Sequence, residues 1–206
     1  MEILNTLKQR ADDLIAHGYN TDAGKYISEG YKIFEKDMGK FIGFTALYFL
    51  ITTAASFVPF GPIFLNGPMT AGFFIMARKI KKNESYDFGT FWKGFDFFVP
   101  LMLFTLISTI LGFLAFLALI IPGIYLVVGW TFAIPFIIFG GMEFWDAMEY
   151  SRKLITKKWW NILGLLLLLF LINLAGAMVF LVGLLFTVPI TYCAIYAAFE
   201  DIIKTE

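Results

Sequence analysis

Apolar residues along this chain follow two patterns that take turns. In charged stretches they recur at three- and four-residue steps, and between those stretches run long blocks with no charge at all. The clearest amphipathic stretch is Met142 to Ile162, where Phe144, Ala147, Met148, Ser151, Leu154, Ile155, Trp159 and Ile162 share one stripe of a helix. The other face carries Glu143, Asp146 and Glu149 early and Arg152, Lys153, Lys157 and Lys158 late, the order that complements a helix dipole and allows a Glu149 to Lys153 pair. This pattern predicts a helix lying flat at a membrane surface, its lysines among headgroups and Trp159 and Trp160 at the interface. Glu2 to His17 is a weaker helix of the same kind, stopped by Gly18. Another starts near Thr21 or Asp22 as N-cap and runs into the first apolar block. Asp87 caps a further one, FGTFWKGFDFF, which carries Trp92 and Lys93.

The uncharged blocks have the length of membrane spans. Phe41 to Val58 ends at the turn Pro59-Phe60-Gly61-Pro62. The return from about Ile63 to Ala77 amounts to only ~23 Å of helix against a hydrocarbon core of roughly 30 Å, so it must start nearer the turn or lean on Arg78 and Lys79 reaching the headgroups. Phe97 to Ile121 and Pro122 to Met142 make a second pair, with a kink expected at Pro135. Ile162 to Val182 and Leu184 to Phe199 make a third, reversing at Gly183. An offset of 121 residues lays Lys32 on Lys153, Gly43 on Gly164, Pro68 on Pro189 and Thr70 on Thr191. An offset of 54 lays Phe34 on Phe88, Phe41 on Phe95 and Pro68 on Pro122. The expected fold is therefore an all-α integral membrane protein, with six transmembrane helices arranged as three pseudo-repeated helical hairpins preceded by amphipathic interfacial helices. Units with an even number of spans are parallel repeats about an axis along the membrane normal.

Residues 1–40 read as N-terminal cytoplasmic amphipathic helices and 41–200 as a six-span membrane domain, with hairpins 41–80, 97–142 and 162–199 and interfacial helices 87–96 and 143–160. Residues 201–206 read as a cytoplasmic tail. Composition agrees: the 206 residues are 59% hydrophobic with 25 Phe, and the mean hydropathy is +0.77, beyond what a soluble domain of this size buries. The net charge of zero hides a strong asymmetry. All 16 cations and 16 anions fall before the first span, between the second and third, between the fourth and fifth, or after the sixth. The excess of Lys and Arg on one side places both termini in the cytoplasm. The opening residues show no basic segment leading into an apolar core, so no signal peptide is expected.

That distribution limits the chemistry. A charge at mid-bilayer costs at least ~2.5 kcal/mol and is kept for ion or proton work; the apolar blocks keep none, which argues against a proton-coupled or sodium-coupled transporter. Asn66 and Asn173 are the amides deep in those blocks. Together with hydroxyls such as Thr70 and Thr191 they form interhelical hydrogen bonds or, on a second reading, a polar path for a neutral solute. His17 is the sole histidine, and the carboxylate pairs Asp12 with Asp13 and Glu200 with Asp201 read as solvated faces and helix ends, so no catalytic residue, cofactor or metal site is expected. Cys193, the one cysteine, excludes an intramolecular disulfide and reads as apolar filler. The candidate lipid-interface residues are Trp92, Lys93, Arg152, Lys153, Lys157, Lys158, Trp159 and Trp160, where each cation near an anionic surface contributes about 1 kcal/mol.

Ile121-Pro122-Gly123-Ile124 after a long apolar run, Asp146-Ala147 and Ser151 with Leu154 ahead of Lys157 and Lys158, Gly67-Pro68 through Gly72, and the Phe88 to Phe95 aromatics form a recognisable set. Over roughly Ser28 to Phe199 the chain resembles a group of poorly characterised bacterial inner-membrane proteins related to the membrane domain of some glycerophosphodiester phosphodiesterases. The resemblance implies a six-helix membrane domain of the bacterial cytoplasmic membrane. It implies no catalytic residue, because in those enzymes catalysis belongs to a separate soluble barrel. The expected function is non-enzymatic: organising lipid or partner proteins through the cytoplasmic face. The alternative is a channel or facilitator for a small neutral or amphiphilic solute. The expected partners are membrane lipids, anionic lipid among the candidates, and a membrane protein or a second copy of the chain; nothing points to nucleic acid.

Overall fold

The computed structural model describes residues 2–203, and among them all regular structure is helical. Residues 204–206 of the expected tail lie outside the described residues. The helices are α1 Glu2–His17, α2 Ala23–Glu35, α3 Met38–Ala55, α4 Gly61–Lys81, a 3-10 helix Phe88–Phe97, α5 Phe98–Ala118, α6 Ile120–Gly129, α7 Ala133–Gly140, α8 Phe144–Thr156, α9 Trp159–Met178 and α10 Leu184–Ile203.

Local chemistry sets the boundaries. Gly18 ends α1 at a φ of 80°, and Asp22 caps α2 by accepting from the Lys25 N–H at 3.0 Å. The expectation that this helix continues into the first apolar block is corrected: Asp37 accepts from the Lys40 N–H at 3.3 Å and starts α3 afresh. The return helix α4 begins at the turn itself and reaches Lys81, so its 21 residues span about 32 Å. Asp87 and Thr90 form a reciprocal capping box, but the segment they open is a 3-10 helix. The amphipathic helix α8 stops at Thr156, so Trp159 and Trp160 open α9 and do not close an interfacial helix. The last reversal is carried by Phe180 and Leu181, at φ of 50° and 63°. Gly183 serves a different purpose there, since a Cβ on it would run into the backbone of Gly176.

The expected kink at Pro135 is a full break. Pro135 has no N–H to offer the Thr131 carbonyl, and the helix is interrupted over residues 130–132 between α6 and α7. Ser151 of α8, fully buried, repairs the gap. Its hydroxyl donates to the Gly129 carbonyl at 2.6 Å and accepts from the Phe132 N–H at 3.1 Å.

Five helical stretches are long and apolar enough to cross a membrane, the makeup of a multi-pass membrane protein: Met38–Ala55, Phe88–Ala118, Ile120–Gly140, Trp159–Met178 and Leu184–Ile203. The remaining long helix, α4, is less apolar because Asn66, Gly67, Pro68 and Thr70 interrupt it, and it is among the most buried. The two facts fit together, since a helix shielded by its neighbours meets little lipid.

Helices α4, α7 and α10 meet in the interior. Phe132, Phe136 and Phe139 pack their rings on Phe199 of α10, and the Arg78 guanidinium of α4 lies 4.8 Å from the Phe139 ring. Helices α3, α5 and α9 face outward and expose large apolar side chains, Phe113, Leu117, Phe170 and Leu171 among them. The amphipathic segments pack on longer helices: the 3-10 helix on α4, α8 on α6 and α7, and α2 on α10. At two of these crossings a glycine stands where backbones approach closely. A Cβ at Gly94 would collide with the Pro68 carbonyl oxygen, and one at Gly30 would sit 2.5 Å from the Ala194 nitrogen. At the third, the Ser151 hydroxyl bridges the two by hydrogen bonds.

Candidate lipid-interface site

Three ion pairs gather the charged stretches at one end of the bundle. Lys8 of α1 meets Asp146 of α8 at 2.7 Å, Lys25 of α2 meets Asp201 of α10 at 2.5 Å, and Lys81 at the end of α4 meets Glu200 at 2.8 Å. The three connecting turns elsewhere are apolar and open, with Phe57 87%, Ile121 79% and Phe180 94% exposed.

The expected interface residues fall into two groups. Trp92 and Lys93 sit on the 3-10 helix. The Trp92 ring stands edge-on to Phe44 at 5.8 Å, and Lys93 is exposed and makes no ion pair among the described residues. The second group surrounds the α8–α9 junction. Arg152 donates to Glu149 from Nε at 2.9 Å and from a terminal nitrogen at 2.7 Å, and its other terminal nitrogen donates to the Tyr125 hydroxyl at 3.2 Å. These bonds hold the Glu149 carboxyl below its usual pKa and raise that of the Arg152 guanidinium. Lys153 reaches Glu149 at 3.4 Å, so the expected i,i+4 pair forms beside a stronger one with Arg152. Lys157 and Lys158 occupy the turn before α9. Trp159 stacks on Tyr125 at 6.3 Å, and Trp160, 77% exposed, stands edge-on to Trp159 at 4.8 Å.

Beside this junction Leu111, Leu126, Trp130, Trp145 and Met148 line a groove of about 210 Å³, with the Glu149 and Arg152 ion pair at its rim. An apolar floor under a charged rim suits an acyl chain whose headgroup stays at the polar edge. Two participants were not foreseen. Tyr125 lies in an uncharged block and gave no signal. Ser151 did: a hydroxyl within an otherwise apolar helical stripe needs a buried partner.

The amides and hydroxyls of the apolar blocks form two clusters. The Tyr48 hydroxyl donates to Asn66 at 3.4 Å, between α3 and α4, with Thr70 beside Tyr48 and Tyr192. The Asn173 amide donates to the Leu169 carbonyl at 2.9 Å and to the Thr191 hydroxyl at 2.7 Å, between α9 and α10. Asn66 and Asn173 thus each take part in a bond that pins the two arms of one hairpin. Set against protein-family profiles, curated proteins and solved structures, the chain matches none of them.

Proposed function

We propose that this chain is a six-span protein of the bacterial cytoplasmic membrane, with both termini in the cytoplasm, that organises lipid or partner proteins through its charged end without catalysing a reaction. One observation carries the reading: ion pairs from all four charged stretches converge on one end, while exposed apolar turns make up the other. A triplicated architecture is supported by the helix bounds, since an offset of 121 residues carries Ala23–Glu35 onto Phe144–Thr156 and the start of α3 onto the start of α9. It is supported again by the packing, in which each amphipathic segment leans on the return helix of the preceding hairpin and α2, having none before it, leans on α10. Three units in a closed ring give that cyclic pattern.

The test is to replace Arg152, Lys153, Lys157 and Lys158 with Gln and to measure anionic-lipid retention and chemical crosslinking to neighbours in reconstituted membranes. Loss of about 1 kcal/mol corresponds to a roughly fivefold drop in retained anionic lipid for each cation removed, compounding over the four. Unchanged retention and unchanged crosslinks would remove the basis of the reading. The solute-facilitator alternative draws less support, because the aromatic packing of Phe132, Phe136, Phe139 and Phe199 fills the meeting point of the three inner helices. Its test is osmotic-shock light scattering of liposomes with a panel of neutral solutes, in which flux that falls on Asn66→Leu or Asn173→Leu replaces the first reading with the second.

A further inference from the structure

A second groove, of about 320 Å³, opens where the end of α4, the 3-10 helix and α7 come together. This volume falls within the ~300–1,000 Å³ of small-molecule sites. Its lining combines cations, carboxylates and an apolar floor: Arg78, Lys79 and Lys93 face Glu84 and Asp96 over Phe97, Ile138 and Phe139. Part of this charge is already satisfied. Lys79 donates to the Ser85 carbonyl at 2.8 Å and lies 3.7 Å from Glu84. The remainder is not. Arg78 Nε is buried with no hydrogen-bond partner, and Lys93 and Asp96, three residues apart on one segment, make no ion pair among the described residues. A buried donor left without an acceptor is costly, and a ligand oxygen would relieve that cost.

We propose that this groove binds the headgroup of a zwitterionic phospholipid, a phosphodiester bearing a primary ammonium. The phosphodiester oxygens accept from Arg78 and Lys93, the ammonium donates to Asp96, and the glycerol end rests on Phe97 and Ile138. A quaternary ammonium fits less well. It cannot donate to Asp96, and the Phe139 face that would cage it is covered by the Arg78 guanidinium. The inference rests on the lipid-organising reading above and names the lipid class that one part of the charged end selects.

The experiment uses the full chain in mixed micelles of equal phosphatidylethanolamine, phosphatidylcholine and phosphatidylglycerol, with bound lipid read by native mass spectrometry. The wild type retains phosphatidylethanolamine about tenfold over phosphatidylcholine, as ~1.4 kcal/mol for one charge-assisted bond gives. Asp96→Asn brings that ratio near one, Asp96→Glu restores it, and Lys93→Gln weakens both lipids with the ratio kept. A thermal midpoint equal to wild type in each variant shows that the fold is retained. Soluble glycerophosphoethanolamine separates the sources: competition by it assigns recognition to the headgroup alone, and competition only by intact lipid assigns it to the membrane, and the site stands in both. Equal retention of the two zwitterionic lipids, or a preference that survives Asp96→Asn, overturns the proposal. The variant neutralised at Arg152, Lys153, Lys157 and Lys158 separates the two claims. If it loses general lipid retention while the wild type shows no ethanolamine preference, the groove assignment fails and the broader reading survives.

Discussion

Ser151 holds two helices together with one oxygen. It donates to one side of the α6–α7 break and accepts from the other, so the Gly129 carbonyl and the Phe132 N–H, two backbone groups left open by the interruption, both have a partner. Ser151→Ala removes that partner inside a fully buried site and should lower the stability in detergent by about 1–3 kcal/mol, read as a lower thermal midpoint; an unchanged midpoint would mean that the break satisfies itself by another route. Gly30 and Gly164 make an informative pair at the same scale. A Cβ at Gly30 collides with the Ala194 backbone, whereas one at Gly164 meets nothing within 4 Å. Gly30→Ala should therefore destabilise by pushing α2 off α10. Gly164→Ala, in the interior of α9, should be neutral or stabilise by about 0.5–1 kcal/mol through lost freedom of the unfolded chain.

At the scale of the helices, charge gives α8 a pH dependence. The Arg152 guanidinium depresses the Glu149 pKa from its ordinary 4.5. The unfolded chain therefore binds that proton more readily than the native one, and the ion pair contributes stability above pH 4.5 that disappears as the pH falls through the native value. The side chain is 38% exposed, so the effect is screened and small. Thermal midpoints of the wild type and Glu149→Gln should differ at pH 7 and converge at strongly acid pH; a constant difference would contradict the pairing. Element boundaries also mark how far reading the residues in order reaches. The apolar blocks, the Asp22 cap, the Gly18 stop and the Asp87 cap were legible because each is a local preference. The breaks at Asp37 and after Thr156 were not: Asp37 is a cap of the same kind, but the apolar stripe runs on past it, and after Thr156 no glycine or proline interrupts the stripe. At Pro135 a kink was legible, but a complete interruption requires Ser151 from another helix to stabilise it, and no local pattern contains that residue. Among the candidate interface residues, Trp159 and Trp160 were assigned to the amphipathic helix although they open α9, because apolar periodicity does not register where one helix hands over to the next.

For the whole molecule, the orientation yields a direct test. Cys193 is fully buried, so the natural chain already serves as an unreactive background for labelling with a membrane-impermeant maleimide. A cysteine at Lys32 should react only from the cytoplasmic side and one at Phe180 only from the opposite side. Labelling of both from one side would invalidate the six-span topology, and with it the assignment of the charged end to the cytoplasm.

The α2–α10 contact also has a temporal side. Lys25 and Asp201 are 176 residues apart, which at ~5–20 residues per second is roughly 10–35 s of synthesis. For that interval the helix made second lacks its main counterpart, because the surface that receives most of it is made last. Its apolar stripe, with Tyr26, Ile33 and Phe34, must be shielded by lipid or by a chaperone until α10 arrives. A ribosome that stalls before α10 thus leaves a product whose hydrophobic seam stays open along α2.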